Sequence, residues 1–225
     1  MRASPPAHRT VHHIARENVM TVTIIGAGSI GQAVAGIAVA SGHAVQILAR
    51  DAGKAAQAAA SSGAASGTIG DPIAGDVVVL AVPYPAVGEV LGVYAGTLAG
   101  KVLVDVTNPL DFSTFDSLVV PADGSAAAVI QALVPEARVV KAFNTTFAAT
   151  LATRAVGGTT TTVLIAGDDA DAKTAVAAVV EGGGLIAVDA GSLRRARELE
   201  SLGFLQLTLA ATEKIGWTGG FALVK

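Results

Sequence analysis

The sequence predicts an α/β fold, a parallel sheet with helices on both faces, plus a smaller C-terminal lobe. Short apolar runs alternate with segments of about 10–15 residues that have helical character. The first apolar run leads directly into a glycine-rich turn. Hydrophobic residues make up 52% of the 225-residue chain and charged residues only 15%, so the chain can bury a large core.

Seven apolar runs rich in Val, Ile, Leu and Ala are predicted strands. A strand covered by helices on both sides needs apolar side chains on both of its faces. Pro83 and Pro109 follow two of these runs and are expected to end them, since proline cannot donate to a sheet. The predicted strands are Val22–Ile25, Ala44–Ala49, Val77–Val82, Val102–Val106, Val139–Ala142, Thr161–Ala166 and Leu185–Val188.

Six segments between or after these runs are predicted helices. Gly42 follows the first segment, at the position of a left-handed C-terminal cap. Asp51 precedes the second, where an aspartate commonly caps the helix N-terminus. The predicted helices are Ser29–Ser41, Ala52–Ser61, Ala86–Tyr94, Ser125–Leu133, Ala170–Val180 and Ser192–Ile215.

The chain divides into three predicted parts. Residues 1–20 are polar and aperiodic, so we expect a disordered N-terminal extension, and Met20 is a candidate start of translation. Residues 21–145 are predicted to form the nucleotide-binding domain and residues 146–225 the small C-terminal α/β lobe.

Composition argues against several classes of function. A net charge of −3 does not give the basic footprint of a nucleic-acid-binding protein. The absence of cysteine excludes disulfides, thiolate nucleophiles and cysteine-based zinc sites. Only His43 lies outside the N-terminal extension, so we expect no metal site. No signal peptide or unbroken apolar run of about 18 residues is present, so we expect a cytoplasmic protein without a membrane segment.

The turn after the first strand has the pattern Gly-x-Gly-x-x-Gly. In Rossmann-like folds the first glycine permits the tight turn, the second lets the backbone approach a pyrophosphate, and the third lets the helix pack closely. Free N–H groups at the helix start then bind phosphate. The alternative is a strand–helix junction in which the glycines serve packing alone. We predict that the turn binds a dinucleotide through Gly26, Ala27, Gly28, Ser29, Ile30 and Gly31.

The end of the second strand favours NADP over NAD. Arg50 stands at the strand end, where a guanidinium can bind a 2′-phosphate with two parallel hydrogen bonds. Lys54 follows about one helical turn later and adds a second positive charge. Asp51 could instead accept from a ribose 2′-OH, which would favour NAD. We interpret it as the helix N-cap and assign Arg50 and Lys54 to NADP.

Polar or proline-bearing turns follow three further strands. The ligand of a doubly wound sheet lies outside the carboxyl ends of its strands, where a nicotinamide amide needs donors and acceptors. Each turn alone is ordinary loop chemistry, since proline and asparagine favour turns. Together they predict a nicotinamide rim made of Val82, Pro83, Tyr84, Asn108 and Asn144.

No acid–base pair is evident in the sequence. His43 lies at the wrong end of the sheet, and Lys141 is expected to be structural because it falls within a strand. Hydride transfer between two cofactors requires stacked rings rather than a proton-transfer group. We therefore predict an oxidoreductase with no catalytic side chain.

Three further motifs complete a resemblance that spans residues 21–225. Together with the glycine turn and the Arg50…Lys54 pair, Ala81-Val82-Pro83, Ala166-Gly167-Asp168-Asp169 and Val188-Asp189-Ala190-Gly191 resemble the NADP-dependent deazaflavin reductases, or coenzyme F420:NADP oxidoreductases. The chain is also similar to the NADP-binding domain of the membrane ferric reductases of the STEAP type.

The resemblance implies more than the residues alone. It implies NADP on Ala27–Ile30, Arg50 and Lys54, a nicotinamide near Pro83 and Tyr84, a homodimer, and hydride exchange with coenzyme F420. Ala49 stands where the family has serine, and Asn144 where it has histidine. The acceptor therefore stays open: another flavin, a ferric chelate or an imine is possible, as is a non-catalytic NADP-binding sensor.

The last predicted helix offers little independent chemistry. Its charged start is expected to be a solvated face, or alternatively a site for the anionic tail of a deazaflavin; it comprises Arg194, Arg195, Arg197, Glu198 and Glu200. A stripe of three leucines and the single tryptophan are expected to pack in the core, or alternatively at a dimer interface; these are Leu202, Leu205, Leu209 and Trp217.

Overall fold

The computed structural model describes residues 19–224, and the predicted N-terminal extension lies outside this range except for its last two residues. Ten strands are present in the described residues. They are β1 (Thr21–Ile25), β2 (Ala44–Ala49), β3 (Ala65–Thr68), β4 (Val77–Leu80), β5 (Val102–Asp105), β6 (Arg138–Lys141), β7 (Ala155–Val156), β8 (Thr159–Thr160), β9 (Thr162–Gly167) and β10 (Ile186–Gly191).

Seven α-helices connect these strands or follow them in the described part of the chain. They are α1 (Ser29–Ala40), α2 (Ala52–Ser62), α3 (Val87–Val93), α4 (Ala126–Leu133), α5 (Ala148–Thr153), α6 (Ala170–Gly182) and α7 (Ala196–Ala211). None of the helices within residues 19–224 has both the length and the apolarity needed to cross a membrane.

Eight of the strands form one sheet in the order β10-β9-β6-β5-β4-β1-β2-β3. All neighbouring pairs are parallel except β6 and β9, which are antiparallel. The predicted fold class is confirmed. The chain runs outward from β1 to β2 and β3, then crosses back to β4 on the other side of β1. A crevice is therefore expected above the carboxyl ends of β1 and β4.

Side chains alternate between the two faces of the sheet, as the pleat of a strand requires. In β4, Val77 and Val79 pack in the core that includes α1 and α6, whereas Val78 and Leu80 pack in the core that includes α3 and α4. Both layers of helices are thus anchored by the same short strands, which explains why these runs are apolar throughout.

Residues 146–225, the predicted C-terminal lobe, add β9 and β10 to this same sheet rather than building a second one. The hairpin of β7 and β8 stands apart from it. The bounds of the lobe as a separate unit stay a prediction.

The last predicted helix, Ser192–Ile215, is wrong in its extent. The segment begins as a 3-10 turn at Leu193–Arg195, and α7 ends at Ala211. Glu213 then adopts a left-handed backbone conformation with φ 58°, which stops the helix.

Candidate functional site

A cleft of about 950 Å³ opens above the carboxyl ends of β1, β4, β5 and β6. The structure brings residues from the glycine turn and from all three predicted rim turns onto its wall. These residues are Gly28, Ser29, Ile30, Val82, Pro83, Tyr84, Asn108 and Asn144. Among the described residues, no Asp, Glu, Lys, Arg or His side chain lines this cleft.

The three glycines of the turn have different physical roles. Gly26 has φ +124°, and a Cβ there would lie 2.1 Å from the carbonyl oxygen of Ala81. A Cβ on Gly31 would lie 2.1 Å from the carbonyl oxygen of Gly26. A Cβ on Gly28 would meet nothing within 4 Å. Packing therefore requires the outer two glycines, whereas a side chain at Gly28 would meet no protein atom.

The N-terminus of α1 suits an anionic ligand. Gly28 is its N-cap, no side chain caps it, and its first turn holds no acidic residue. The free N–H groups and the positive end of the helix dipole favour a negative charge at this point. The residues present therefore fit the pyrophosphate of a dinucleotide.

The structure separates the roles of the residues that follow β2. Asp51 is the N-cap of α2, and its Oδ1 accepts from the backbone N–H of Lys54 at 2.9 Å. The interpretation of Asp51 as a cap agrees with this geometry. Arg50 and Lys54 are both exposed and lie outside the wall of the cleft, near the carboxyl end of β2.

The turns after β5 and β6 are joined by their asparagines. The Asn108 Nδ2 donates to the carbonyl oxygen of Asn144 at 2.8 Å, and the Asn144 Nδ2 donates back to Asn108 Oδ1 at 2.9 Å. Asn144 Nδ2 also donates to the carbonyl oxygen of Leu199 in α7 at 2.9 Å. Gly203 permits this contact, since a Cβ there would lie 2.4 Å from Asn108 Oδ1.

Two buried polar atoms of residues that line the cleft have no partner among the described residues. They are Thr107 Oγ1 and Asn144 Oδ1, both buried. Phe143, between β6 and Asn144, has φ 64°, a conformation that costs a residue other than glycine about 1–3 kcal/mol. Buried unpaired groups and backbone strain gather where a site is built rather than where a core is packed.

A buried ion cluster lies beneath the rim. Lys141 Nζ is 2.8 Å from Asp105 Oδ2 and 2.9 Å from Glu200 Oε1, and all three side chains are fully buried. Lys141 also donates to the carbonyl oxygen of Thr107. Glu200 Oε2 accepts from the backbone N–H of Ala126 at the start of α4. The cluster thus fastens α4 and α7 to the ends of β5 and β6.

This cluster acts electrostatically on the rim. Burial raises the pKa of Glu200, although Lys141 opposes the shift. Burial, with the nearby carboxylates of Glu200 and Asp105, raises the pKa of Tyr84. Tyr84 therefore faces the cleft as a neutral phenol that can donate a hydrogen bond.

Sequence reasoning missed this cluster. Lys141 is buried and paired with two carboxylates, which agrees with the expectation that it is structural. The expectation of a solvated charged face is wrong for Glu200, because that residue lies on the side of α7 that covers β6. A lysine inside the apolar run Val139–Ala142 is the signal that could have found it, since a buried ammonium needs carboxylate partners.

The aromatic residues of the C-terminal part also differ from expectation. Trp217, predicted to lie in the core, is 53% exposed, and Leu205 of the predicted core stripe is 49% exposed. Trp217 instead lines the cleft and packs on Phe147, with ring centroids 5.1 Å apart. Phe112, in the long loop after β5, is another exposed aromatic residue on the same wall.

Sequence comparison with known proteins finds relatives that are reductases. Residues 21–109 match the model of a family described as NADP oxidoreductase, coenzyme F420-dependent. Over 108 residues, 48% of the chain, the sequence is 38% identical to metalloreductase STEAP3 of Rattus norvegicus. Over 147 residues, 64% of the chain, it is 30% identical to the F420-dependent NADP reductase of Methanocaldococcus jannaschii. The chain spans 21% of the first relative and 66% of the second.

A solved structure agrees with these sequence matches. A candidate F420-dependent NADP reductase from Arthrobacter sp. FB24 is 29% identical and superimposes with a TM-score of 0.80, over 92% of this chain and 100% of its own. The predicted resemblance is confirmed. The family description and the Methanocaldococcus jannaschii relative both name an NADP-dependent reductase, which is the class that the sequence predicts.

Proposed function

Because residues 21–109 carry the sequence pattern of the coenzyme F420-dependent NADP oxidoreductases, we propose that this protein transfers a hydride from NADPH to a deazaflavin. When bound, NADPH supplies the hydride and becomes NADP⁺, while the deazaflavin takes the hydride at C5 and a proton from water at N1. The chain itself binds, orients and shields the two rings.

The observation that carries this proposal is that, within residues 19–224, no charged side chain lines the cleft. Transfer between two rings needs a close, aligned approach, and its rate comes from positioning and from the exclusion of water. A proton-transfer side chain is not required. A cleft of about 950 Å³ that holds aromatic and small apolar side chains fits this chemistry.

The proposed course of the cofactor follows the strand order. Arg50 and Lys54, near the end of β2, bind the 2′-phosphate, and the turn at Gly28 binds the pyrophosphate. The nicotinamide lies on the other side of β1, at the rim formed by Val82, Pro83, Tyr84 and Asn108, with Asn144 at its far edge. Gly26 and Gly31 serve by shaping the turn. From the family resemblance we also propose that the protein is cytoplasmic and forms a homodimer. Sedimentation of the purified protein tests the homodimer.

Substitution of Arg50 tests the cofactor half. Arg50→Ala is expected to weaken NADPH binding about ten- to a hundredfold, the worth of a charge-assisted contact to phosphate, and to leave NADH binding unchanged. Arg194→Ala, an exposed arginine remote from β2 in sequence, is the matched control. Calorimetric titration of the three proteins with both nucleotides gives the answer, and an unchanged NADPH preference in Arg50→Ala would reject the assignment.

A panel of acceptors tests the second half. NADPH oxidation is followed with a deazaflavin, FMN, a ferric chelate and a cyclic imine in turn. We expect the deazaflavin to be reduced fastest. Turnover on another acceptor alone would replace the deazaflavin, whereas tight NADPH binding without any turnover would indicate a sensor.

A further inference from the structure

The part of the cleft that begins at Asn144, the far edge of the nicotinamide rim, has two features that suit a particular kind of ring. We propose that Asn144 Oδ1 and the Phe147–Trp217 pair bind the acceptor, as a flat and uncharged ring system that presents an imide-type N–H on its edge. This inference rests on the proposed function and names the groups that would recognise its second substrate.

Asn144 supplies the edge contact. Its side-chain amide is fixed, because Nδ2 already donates to Asn108 Oδ1 and to the carbonyl oxygen of Leu199, each at 2.9 Å. Its Oδ1 is buried and has no partner among the described residues, and Asn144 is one of the residues that line the cleft. A buried unpaired acceptor is costly, and an N–H that arrives with a ligand would give it the partner it lacks.

Phe147 and Trp217 supply the face contact. Phe147 is buried, whereas the tryptophan that packs on it is 53% exposed at the cleft. Phe147 precedes α5, and its burial makes it a firm backing for the indole. An exposed indole ring that is supported from behind by a buried phenylalanine favours a flat aromatic ligand over a compact aliphatic one.

The sheet order places these groups on the acceptor side. Neighbouring strands lie about 4.8 Å apart, so the end of β6 is roughly 14 Å from the glycine turn at β1, and the ends of β4 and β5 lie between. The cofactor that extends from the turn reaches β4 and β5 first. Asn144, at the end of β6, therefore meets what lies beyond the nicotinamide.

The same surroundings disfavour other acceptors. Since no charged side chain lines the cleft among the described residues, a chelate that carries carboxylates finds no cation there. A flavin or deazaflavin ring offers both required features, because the N3–H between its two carbonyl groups is an imide donor.

The test compares two ligands that differ at one position, 5-deazariboflavin and its N3-methyl derivative. Each is titrated by calorimetry into wild-type protein saturated with NADP⁺, so that no turnover occurs. Emission of Trp217, the single tryptophan of the chain, gives an independent signal. We expect the parent ring to bind and quench this emission, and the N3-methyl derivative to bind about tenfold more weakly or worse, because its donor is blocked. Equal binding of the two would overturn the role of Asn144.

Variants of the tryptophan test the face contact. Trp217→Ala is expected to weaken the binding of both rings by about fivefold or more, which is the contribution expected of an aromatic stack. Trp217→Phe is expected to restore most of the lost affinity. Leu223→Ala, an exposed residue of the same tail, is the control. Unchanged binding in Trp217→Ala would overturn the proposal.

The NADP⁺ affinity of each protein is measured first, and each ring is also titrated without nucleotide. If the wild-type protein does not bind NADP⁺, the proposed function is refuted. The titrations of the two rings without nucleotide would then still decide this inference. Tight NADP⁺ binding with no binding of either ring would refute both this inference and the deazaflavin as acceptor, whereas equal binding of the two rings would refute the inference alone.

Discussion

At the scale of single residues, the glycine turn separates fold from function. Gly31 is required because a Cβ there would collide with backbone, whereas Gly28 faces open space. The sequence predicts the turn because its spacing is local. It could not show that Asn144 Oδ1 and Thr107 Oγ1 lack hydrogen-bond partners among residues 19–224, since that depends on which distant groups meet at the cleft.

Two glycine substitutions test this division. Gly31→Ala is expected to lower the free energy of unfolding by about 1–3 kcal/mol, since the backbone of the turn must shift to admit the methyl group. Gly28→Ala is expected to lose less stability than Gly31→Ala, because its methyl group meets no protein atom, yet to lose NADPH affinity, because that group occupies the place proposed for the pyrophosphate. Urea denaturation and calorimetry measure the two quantities.

Gly88→Ala is the control for both variants. Gly88 lies in α3, and a Cβ there meets nothing within 4 Å. Its replacement should therefore affect neither NADPH binding nor the turn. Wild-type NADPH affinity in Gly28→Ala would contradict the assignment of the turn.

At the scale of elements, a few side chains fasten helices to strand ends. Asp51 begins α2 by accepting from the N–H of Lys54, and Glu200 of α7 reaches both Lys141 of β6 and the start of α4. The first contact is local and was predictable. The second joins residues remote in sequence, so a charged helix start gave no reason to place Glu200 in the interior.

Loss of the Asp51 cap tests which role that residue plays. Asp51→Ala is expected to lower the free energy of unfolding by about 1 kcal/mol and to leave the NADPH-to-NADH preference unchanged. Thermal unfolding and nucleotide titration check the two parts. A selective loss of NADH binding would show that Asp51 contacts a ribose instead.

Truncation of Glu200 tests the ion cluster. Glu200→Ala leaves Lys141 with one carboxylate and the N–H of Ala126 without its partner, so we expect unfolding to become easier by about 3–5 kcal/mol. Glu198→Ala is the control on the same helix, because its exposed pair with Arg195 should contribute less than about 1 kcal/mol. Equal stability of the two variants would contradict the role of the cluster.

The cluster also predicts a dependence on pH. Burial raises the pKa of Glu200, so the native chain holds this proton more tightly than the unfolded chain. The resulting stability is present below the ordinary pKa of a glutamate and is lost as pH rises through the raised value. Glu200→Gln cannot titrate, so its unfolding free energy in urea should decline less with rising pH than that of wild type. Parallel curves would contradict the shift.

At the scale of the whole molecule, the alternation of apolar runs and helices was enough to predict the sheet and its helices. It missed β3, because Ala65–Thr68 is a short edge strand with no apolar run. It also gave no reason to expect β9 and β10 to join the same sheet antiparallel to β6, since pairing between distant strands leaves no local pattern. The cleft of the proposed reaction is formed by this arrangement and by α7 across its edge.

Labelled NADPH tests whether the hydride passes directly from one ring to the other. NADPH carrying deuterium at the transferred position of C4 is incubated in ordinary water with the protein and 5-deazariboflavin, whose C5 keeps the hydrogen it receives. We predict, by mass spectrometry, one deuterium in the reduced deazaflavin. Reduced deazaflavin that contains only hydrogen from water, or NADPH that stays unoxidised, would contradict the account.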